Sequence, residues 1–507
     1  MDRKSLPQRA RICCFKEGIE SPVVAHGKLL AQATLKFIQY MEIMQCSATN
    51  FWSAISSCGN LPGRFVEDAD GRVASGDFLG GSSLYGRGEE LEGRSVLLAT
   101  TAQITTSLAL AELDCVARQI ILWPPDLSLE HLSFVIDTAE VDSIVSDRAI
   151  THRHSGRPVC YCPCSRIPVP ATRKVKSIHN TEWILLTSGT TGRPKLVVHT
   201  FASLTSAIQP RYDSNPSVVW STFYDIRRYG GLQILLRAAL TGTSLVLCSA
   251  EESVADFLAR AARAGVSHIS GTPSHWRRAL MSPSAELLKP QYIRLSGEAV
   301  DQALLNNLRS AYPGARIVHA FASTEAGVAF EVTDGMVGFP ASSLKENPQV
   351  EMGVEDGTLR IRSAGNARCY LGDRAPTLKD QTGFVDTGDT VELRDGRYYF
   401  AGRRDGVINV GGLKVHPEEV ESVIARHPEV QMCLVHGKKN PITGALVVAD
   451  VVLKKISMPD DRDTSALGRE ILQLCRESLP AHKVPAAIKL VSELPIAESG
   501  KVMRRYA

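Results

Sequence analysis

The sequence predicts an α/β fold: a large N-terminal domain of parallel-rich sheets flanked by helices, followed by a small α+β C-terminal domain. Three observations carry this expectation. Short apolar runs of strand length alternate with longer helical stretches between Ser95 and Ala320, the rhythm of parallel strands covered by helices. After about residue 350 the texture shifts to shorter strands and turns. Beyond Arg403-Arg-Asp405-Gly406, which reads as a junction, roughly a hundred residues remain, enough for a compact unit of their own.

Taken in order, residues 1–45 show no repeat or period and read as an N-terminal extension. The large domain is expected over 46–404 and the small one over 405–507. In the large domain, Ser95 to Ala99 reads as a buried strand, Gln103 to Val116 as a helix, Gln119 to Trp123 as a strand, Leu129 to Ala139 as a helix and Asp142 to Val145 as a strand. The rhythm returns with strands at Thr243 to Cys248, Ser267 to Ser270, Tyr292 to Leu295 and Arg316 to Ala320, and helices at Val254 to Ala264 and Gln302 to Ala311. Ligand sites of parallel sheets lie at the carboxyl ends of their strands, which is where Ser296-Gly297-Glu298 and Phe321-Ala-Ser-Thr-Glu325 fall. The small domain reads as a helix from Pro417, strands near Met432 to Val435 and Ala445 to Val452, a helix over Leu467 to Leu479 and a strand near Ile488.

Composition excludes several classes. Fifty-seven Lys and Arg against 54 Asp and Glu leave a formal charge of +3, without the basic excess that neutralises nucleic-acid phosphates. The most apolar stretch, Ser95 to Leu110, is interrupted by threonines and Gln103, so no membrane span is expected. The basic start lacks the apolar centre of a signal peptide, and a cytoplasmic location is the default. Twelve cysteines are too sparse for a disulfide scaffold. Cys160, Cys162 and Cys164, with His152 and His154 upstream, have the wrong spacing for structural zinc, and the nearby prolines favour an irregular, reduced surface loop.

The most informative stretch runs from Glu182 to His199: strand, a loop from Thr187 to Lys195 rich in glycine and hydroxyls, then strand. Thr187, Ser188, Thr190 and Thr191, with the backbone N–H groups around Gly189 and Gly192, form a cradle for polyphosphate oxygens, to which Lys195 adds charge. The spacing Gly189-x2-Gly192-x2-Lys195 and the β-branched residues after it separate this loop from the P-loop that opens a helix.

Here the sequence resembles the adenylate-forming superfamily of acyl-CoA synthetases, peptide-synthetase adenylation domains and luciferases, in register over about residues 60–505. Thr187 to Lys195 resembles its phosphate loop, Phe321 to Glu325 its Tyr-Gly-x-Thr-Glu segment and Asp386-Thr-Gly-Asp389 its ribose motif. Gly402 to Glu421 resembles its hinge and following loop, and Leu494 to Lys501 its C-terminal lysine motif. The resemblance implies ATP-dependent activation of a carboxylic acid to acyl-AMP with loss of pyrophosphate, then transfer to coenzyme A. It implies ATP, Mg2+ and coenzyme A, or the phosphopantetheine of a separate acyl or peptidyl carrier protein, as the other participants.

It also implies roles. Thr324 would bind phosphate, Glu325 Mg2+, Asp389 both ribose hydroxyls, and Arg403 the ribose and phosphate. Phe321 would stack on adenine, with Gly297, Glu298 and Ala299 opposite. Asp405 would be the hinge of a mobile small domain, Gly411 and Gly412 would face the thiol channel, and Lys501 would be the lysine of the adenylation step. For Glu325 the competing reading is a carboxylate at a helix start, and for Gly411-Gly412 a plain hairpin.

Three departures stand out. Phe321-Ala322 replaces Tyr-Gly, placing a methyl at what resembles the floor of the acid pocket. In Tyr224-Asp-Ile-Arg227-Arg228-Tyr229-Gly230-Gly231, Arg228 stands where His is common, so Arg228 or Arg227 is either a contact to a second anionic group or a surface charge, with Gly230 beside it in the acid pocket. Residues before 60 have no family counterpart. Tyr229 stands where amino-acid-activating domains carry an Asp, which disfavours an amino-acid substrate. A stand-alone carrier-loading enzyme and a weakly active nucleotide- or acyl-binding paralogue stay open beside the acyl-CoA synthetase.

Overall fold

The computed structural model describes residues 50–57, 63–150, 158–171, 179–187, 193–209, 217–373, 375–410, 413–440, 444–454 and 464–495. The chain divides into two compact units, Met1–Ala48 and Thr49–Ala507, and every described residue belongs to the second.

That unit has the mixed α/β architecture expected. An eight-stranded sheet runs, edge to edge, through Gly327–Val332, Arg316–Ser323, Tyr292–Ser296, His268–Gly271, Val219–Thr222, Ser244–Leu247, Phe65–Asp68 and Gly71–Ala74. Its six inner strands are parallel and only the two edges run antiparallel. A seven-stranded sheet runs through Cys369–Tyr370, Lys195–Thr200, Glu182–Thr187, Gln119–Leu122, Ser95–Leu98, Ser143–Ser146 and Cys160–Pro163. Ser95–Leu98, Gln119–Leu122 and Ser244–Leu247 are buried at every position, as parallel strands covered on both faces must be.

Helix ends follow their capping chemistry. Ser253 accepts from Asp256 N at 3.2 Å to start Val254–Arg263, and Asp301 accepts from Leu304 N at 2.8 Å to start Gln302–Ala311. Tyr229–Thr241 stops at Gly242, whose φ of +63° is the left-handed conformation that ends a helix cheaply only with glycine.

Past residue 338 the sheets turn antiparallel, save for Ala487–Leu490, which lies parallel to Gly444–Leu453. Phe339–Pro340, Arg397–Arg403, Val385–Arg394, Thr358–Ser363 and Val350–Glu355 form one five-stranded sheet around Phe339, Leu359 and Ile361. A second, from Ile408 on, pairs Val430–Asn440 with Gly444–Leu453 and packs Pro417–Ile424 and Thr464–Ser478 onto a separate core of Val420, Ile424, Val451 and Ile471.

The cysteine segment differs from expectation. It is no irregular loop: Cys160–Pro163 adds a parallel strand beside Ser143–Ser146, with Cys162 and Cys164 buried and Cys160 exposed. Alternation of side chains along a strand puts Tyr161 outside and its neighbour Cys162 inside, while Cys160 is exposed at the strand's start; a proline at the strand's end does not prevent this. Burial raises the Cys162 and Cys164 thiols, keeping them protonated. Among the described residues no group of three or more His, Cys, Asp or Glu is placed to hold a metal ion, and His152 and His154 lie outside those residues.

Candidate nucleotide-binding site

Strand pairing sets the stem of the glycine loop. Glu182–Thr187 and Lys195–Thr200 are antiparallel neighbours with Thr187 opposite Lys195, so the loop closes between them. Ser188, Gly189, Thr190, Thr191 and Gly192 lie outside the described residues, as do Gly411, Gly412 and Lys501. At the stem, the Thr187 hydroxyl is buried without a hydrogen-bond partner among the described residues. A buried hydroxyl left unpaired costs about 1–3 kcal/mol.

Thr324 and Glu325 sit in the turn between Arg316–Ser323 and Gly327–Val332, not at a helix start. Ser323 Oγ accepts from Ala326 N at 2.9 Å and fixes that turn. Gly327 has φ of +74°, and a Cβ there would fall 2.6 Å from the Gly365 carbonyl, so only glycine fits. The Glu325 carbonyl accepts from Ala367 N at 2.9 Å, while its carboxylate accepts from Tyr370 Oη at 3.3 Å.

The ring of Tyr370 also faces Lys195, whose Nζ lies 5.2 Å from the ring centroid. Burial, followed by the Glu325 carboxylate, raises the Tyr370 phenol; Arg403 opposes this from nearby. Arg403 in turn lies opposite Asp389 across the strand pair, with Nη1 3.8 Å from Oδ1, and donates to the Thr387 carbonyl at 3.2 Å. Lys195, Glu325, Asp389 and Arg403 are thus linked through one neighbourhood. Asp405 lies two residues on, in the short turn Arg404–Gly406.

The remaining candidates are placed as follows. Gly297, at φ of +85°, and Ala299 are exposed just past the strand Tyr292–Ser296, and Glu298 accepts from Ser274 N at 2.9 Å at the start of Pro273–Leu280. Phe321 is half-buried, its ring near-parallel to those of Phe330 at 5.8 Å and Phe400 at 5.4 Å. Ala322 follows a register shift in the same strand. Gly230 lies against the Tyr224 ring, which a Cβ would approach to 3.3 Å.

Neither arginine is a surface charge. Arg227 is 2% exposed, pairs with Asp225 through Nε at 2.8 Å and through Nη2, and donates to the Thr100 carbonyl. Arg228 pairs with Asp126 and donates from Nη1 to the Leu186 carbonyl at 3.1 Å, bracing the strand that leads into the glycine loop. Both guanidinium groups therefore already have a carboxylate, because the sheet ends bring Asp225 and Asp126 to them.

His199 is a residue that sequence reasoning missed. Fully buried, it contacts Ser203 Oγ at 2.9 Å through Nδ1 and the Thr324 carbonyl at 2.7 Å through Nε2. It ties the strand after the glycine loop to the Thr324-Glu325 turn. Burial lowers its pKa from 6.5 to about 4, so it stays neutral. The unfolded chain protonates this group first as the pH falls, so stability is full above pH 6.5 and is lost between 6.5 and about 4. His275, lowered by burial to about 3, acts in the same direction. We expect the melting temperature to fall on going from pH 7 to 5, and His199→Gln to reduce that slope. Scanning calorimetry at several pH values checks it, and an unchanged slope in the variant overturns it.

Residues 100–371 match the AMP-binding enzyme family, and 419–501 its C-terminal domain. The chain belongs to this adenylate-forming family. Human mitochondrial acyl-coenzyme A synthetase ACSM1 is 35% identical over 147 residues, 29% of this chain and 25% of that protein, so the match spans a quarter of its length. The 2-succinylbenzoate–CoA ligase of Bacillus licheniformis is 27% identical over 444 residues, 81% of this chain and 88% of that one. Among solved structures, the anthranilate CoA ligase AuaEII bound to anthranoyl-AMP superposes with a TM-score of 0.73 at 21% identity, covering 89% of this chain and 95% of that one. These likenesses confirm the fold. No helix among the described residues is long and apolar enough to cross a membrane.

Proposed function

We propose that this protein is an AMP-forming acyl-CoA synthetase: acid, ATP and coenzyme A yield acyl-CoA, AMP and pyrophosphate. The observation that carries the reading is the convergence of Lys195, Glu325, Asp389 and Arg403 beside the stem of the glycine loop, where the Thr187 hydroxyl has no partner among the described residues. Two anions, a carboxylate and a triphosphate, must meet for acyl-AMP to form, so the site has to gather cations and hold geometry. Lys195 and Arg403 supply fixed positive charge at its two sides. Asp389, held in register opposite Arg403, offers a bidentate acceptor for a ribose diol. Thr324 and the loop residues Ser188 to Gly192 would bind phosphate, and Gly297 to Ala299 with Phe321 would border the base.

The donor set suits Mg2+. One carboxylate, on Glu325, joined by phosphate oxygens from ATP, is the usual provision for this hard cation, which neutralises phosphate charge when bound. Glu325 is held at its carbonyl and at its carboxylate, so this chain's part is to present the carboxylate at a set angle.

The domain reading places the large domain at 46–404, the small one at 405–507, and the hinge at Asp405. Rotation there would present first Lys501 and then the Gly411-Gly412 turn to one cleft, which two half-reactions with different nucleophiles require. Coenzyme A as acceptor follows the relatives, an acyl-coenzyme A synthetase and a 2-succinylbenzoate–CoA ligase. A cytoplasmic location accords with this substrate.

ATP–pyrophosphate exchange across a panel of carboxylic acids tests the reading. Exchange with at least one acid, followed by acyl-CoA release on adding coenzyme A, is the expected result. Exchange without acyl-CoA release, but with loading of a carrier protein, would reassign the acceptor. No exchange with any acid would make the chain a binding protein.

A further inference from the structure

Tyr370 has no part in the roles assigned so far, yet it touches two of the charges the site depends on. Its position follows from the sheet. Cys369–Tyr370 is the edge strand beside Lys195–Thr200, with Tyr370 directly opposite Val197. Opposite residues of an antiparallel pair project to the same face, and so does a residue two positions along. Lys195 therefore shares the face of Tyr370 and lies diagonally across it, with Nζ 5.2 Å from the ring centre. The main chain fixes this register through Arg368 N to the Val198 carbonyl at 2.7 Å and Leu371 N to the Leu196 carbonyl at 2.8 Å. At its far end the phenol donates to Glu325 Oε1 at 3.3 Å, while three residues back Ala367 N holds the Glu325 carbonyl at 2.9 Å.

We propose that Tyr370 is a positioning residue that aims the Glu325 carboxylate and the Lys195 ammonium at the Mg2+-bound triphosphate. The inference rests on the reading of Glu325 as the Mg2+ carboxylate given above. A free glutamate samples many rotamers, and one hydrogen bond from a half-buried phenol narrows them. The ring face holds the lysine by cation–π attraction, which is worth about 0.5–1 kcal/mol at exposed sites and more where water is excluded. The two functions reside in different atoms, the hydroxyl and the ring, so two substitutions separate them.

The test measures ATP binding by the full-length chain, through ATP-induced stabilisation and calorimetry at a series of Mg2+ concentrations. Tyr370→Phe keeps the ring and loses the hydroxyl. It should need about 10-fold more Mg2+ for half-maximal ATP-dependent stabilisation, the effect typical of removing a group that orients a metal ligand. At saturating Mg2+ its ATP affinity should match that of the unmodified chain. Tyr370→Leu loses both functions and should bind ATP more weakly even at saturating Mg2+. In a Glu325→Gln background the hydroxyl should no longer matter, so Tyr370→Phe should add nothing to the Mg2+ requirement. An unchanged Mg2+ requirement in Tyr370→Phe, whether or not its ligand-free melting temperature falls, overturns the proposal and leaves a structural tyrosine. If the unmodified chain shows no Mg2+-dependent ATP stabilisation, the nucleotide reading fails first and this inference with it.

Discussion

Lys501→Ala is expected to slow acyl-AMP formation by at least about 10²-fold while leaving thioester formation from supplied acyl-AMP near its normal rate. The effect is electrostatic. As the acid carboxylate attacks the α-phosphate, negative charge accumulates at the reacting phosphoryl group and on the departing pyrophosphate. A cation about 4 Å from such charge contributes roughly 4 kcal/mol at an effective dielectric near 20. Losing a donor aimed at transition-state charge costs about 10²–10³-fold in comparable sites. The second half-reaction also adds charge, on the departing AMP phosphate, but on the domain-rotation reading it takes place with the small domain turned and Lys501 away from the cleft. Single-turnover kinetics of the two half-reactions, each started from its own substrates, give the comparison. Equal losses in both would remove Lys501 from the adenylation step and leave it a general structural or binding role.

The strands of the two large sheets were legible because burial on both faces demands uninterrupted apolar residues, as in Ser95–Leu98 and Ser244–Leu247. The hairpin around the glycine loop was legible for a related reason: β-branched Val197 and Val198 follow Pro194, which does not open a helix there. Asp389 and Arg403 were each found singly, but their pairing depends on the register of Val385–Arg394 against Arg397–Arg403, which contains a bulge after Thr390. What sequence reading missed are contacts made across long separations. His199 meets Thr324 from 125 positions away, and Tyr370 meets Glu325 from 45. A histidine in Leu196-Val-Val-His199 is indistinguishable from any satisfied core histidine until the facing carbonyl is known. The signal that could have raised Tyr370 was the two-residue strand it forms, too short to stand out by period. The cysteine strand was missed because local proline content outweighed the period-two burial that Cys162 and Tyr161 display.

Arg227→Met should be the most destabilising of the substitutions considered, by about 3–5 kcal/mol, the usual cost of removing one partner of a buried ion pair. Arg227 is 2% exposed and holds Asp225 by its side chain, while Nη1 reaches the Thr100 carbonyl at the end of the Ser95–Leu98 strand. It joins the two large sheets: Asp225 follows the eight-stranded sheet's Val219–Thr222, whereas Thr100 follows Ser95–Leu98 of the seven-stranded one. Gln103 bridges the same seam, donating to the Cys248 carbonyl at 2.6 Å and accepting from Ile226 N at 2.8 Å. Methionine fills much of the arginine's volume but leaves the Asp225 carboxylate without its countercharge, held only by the backbone N–H of residue 227 at 2.8 Å, and takes the guanidinium donor from the Thr100 carbonyl. Arg227→Met with Asp225→Leu removes the orphaned charge and should recover part of the loss, because a buried pair replaced as a unit is often close to neutral. Arg228→Met, at a less buried site paired with Asp126, should cost distinctly less. Thermal melting of the four proteins ranks them. If Arg227→Met melted with the parent, the pair would be a bystander and the seam would be held by Gln103 and apolar packing alone.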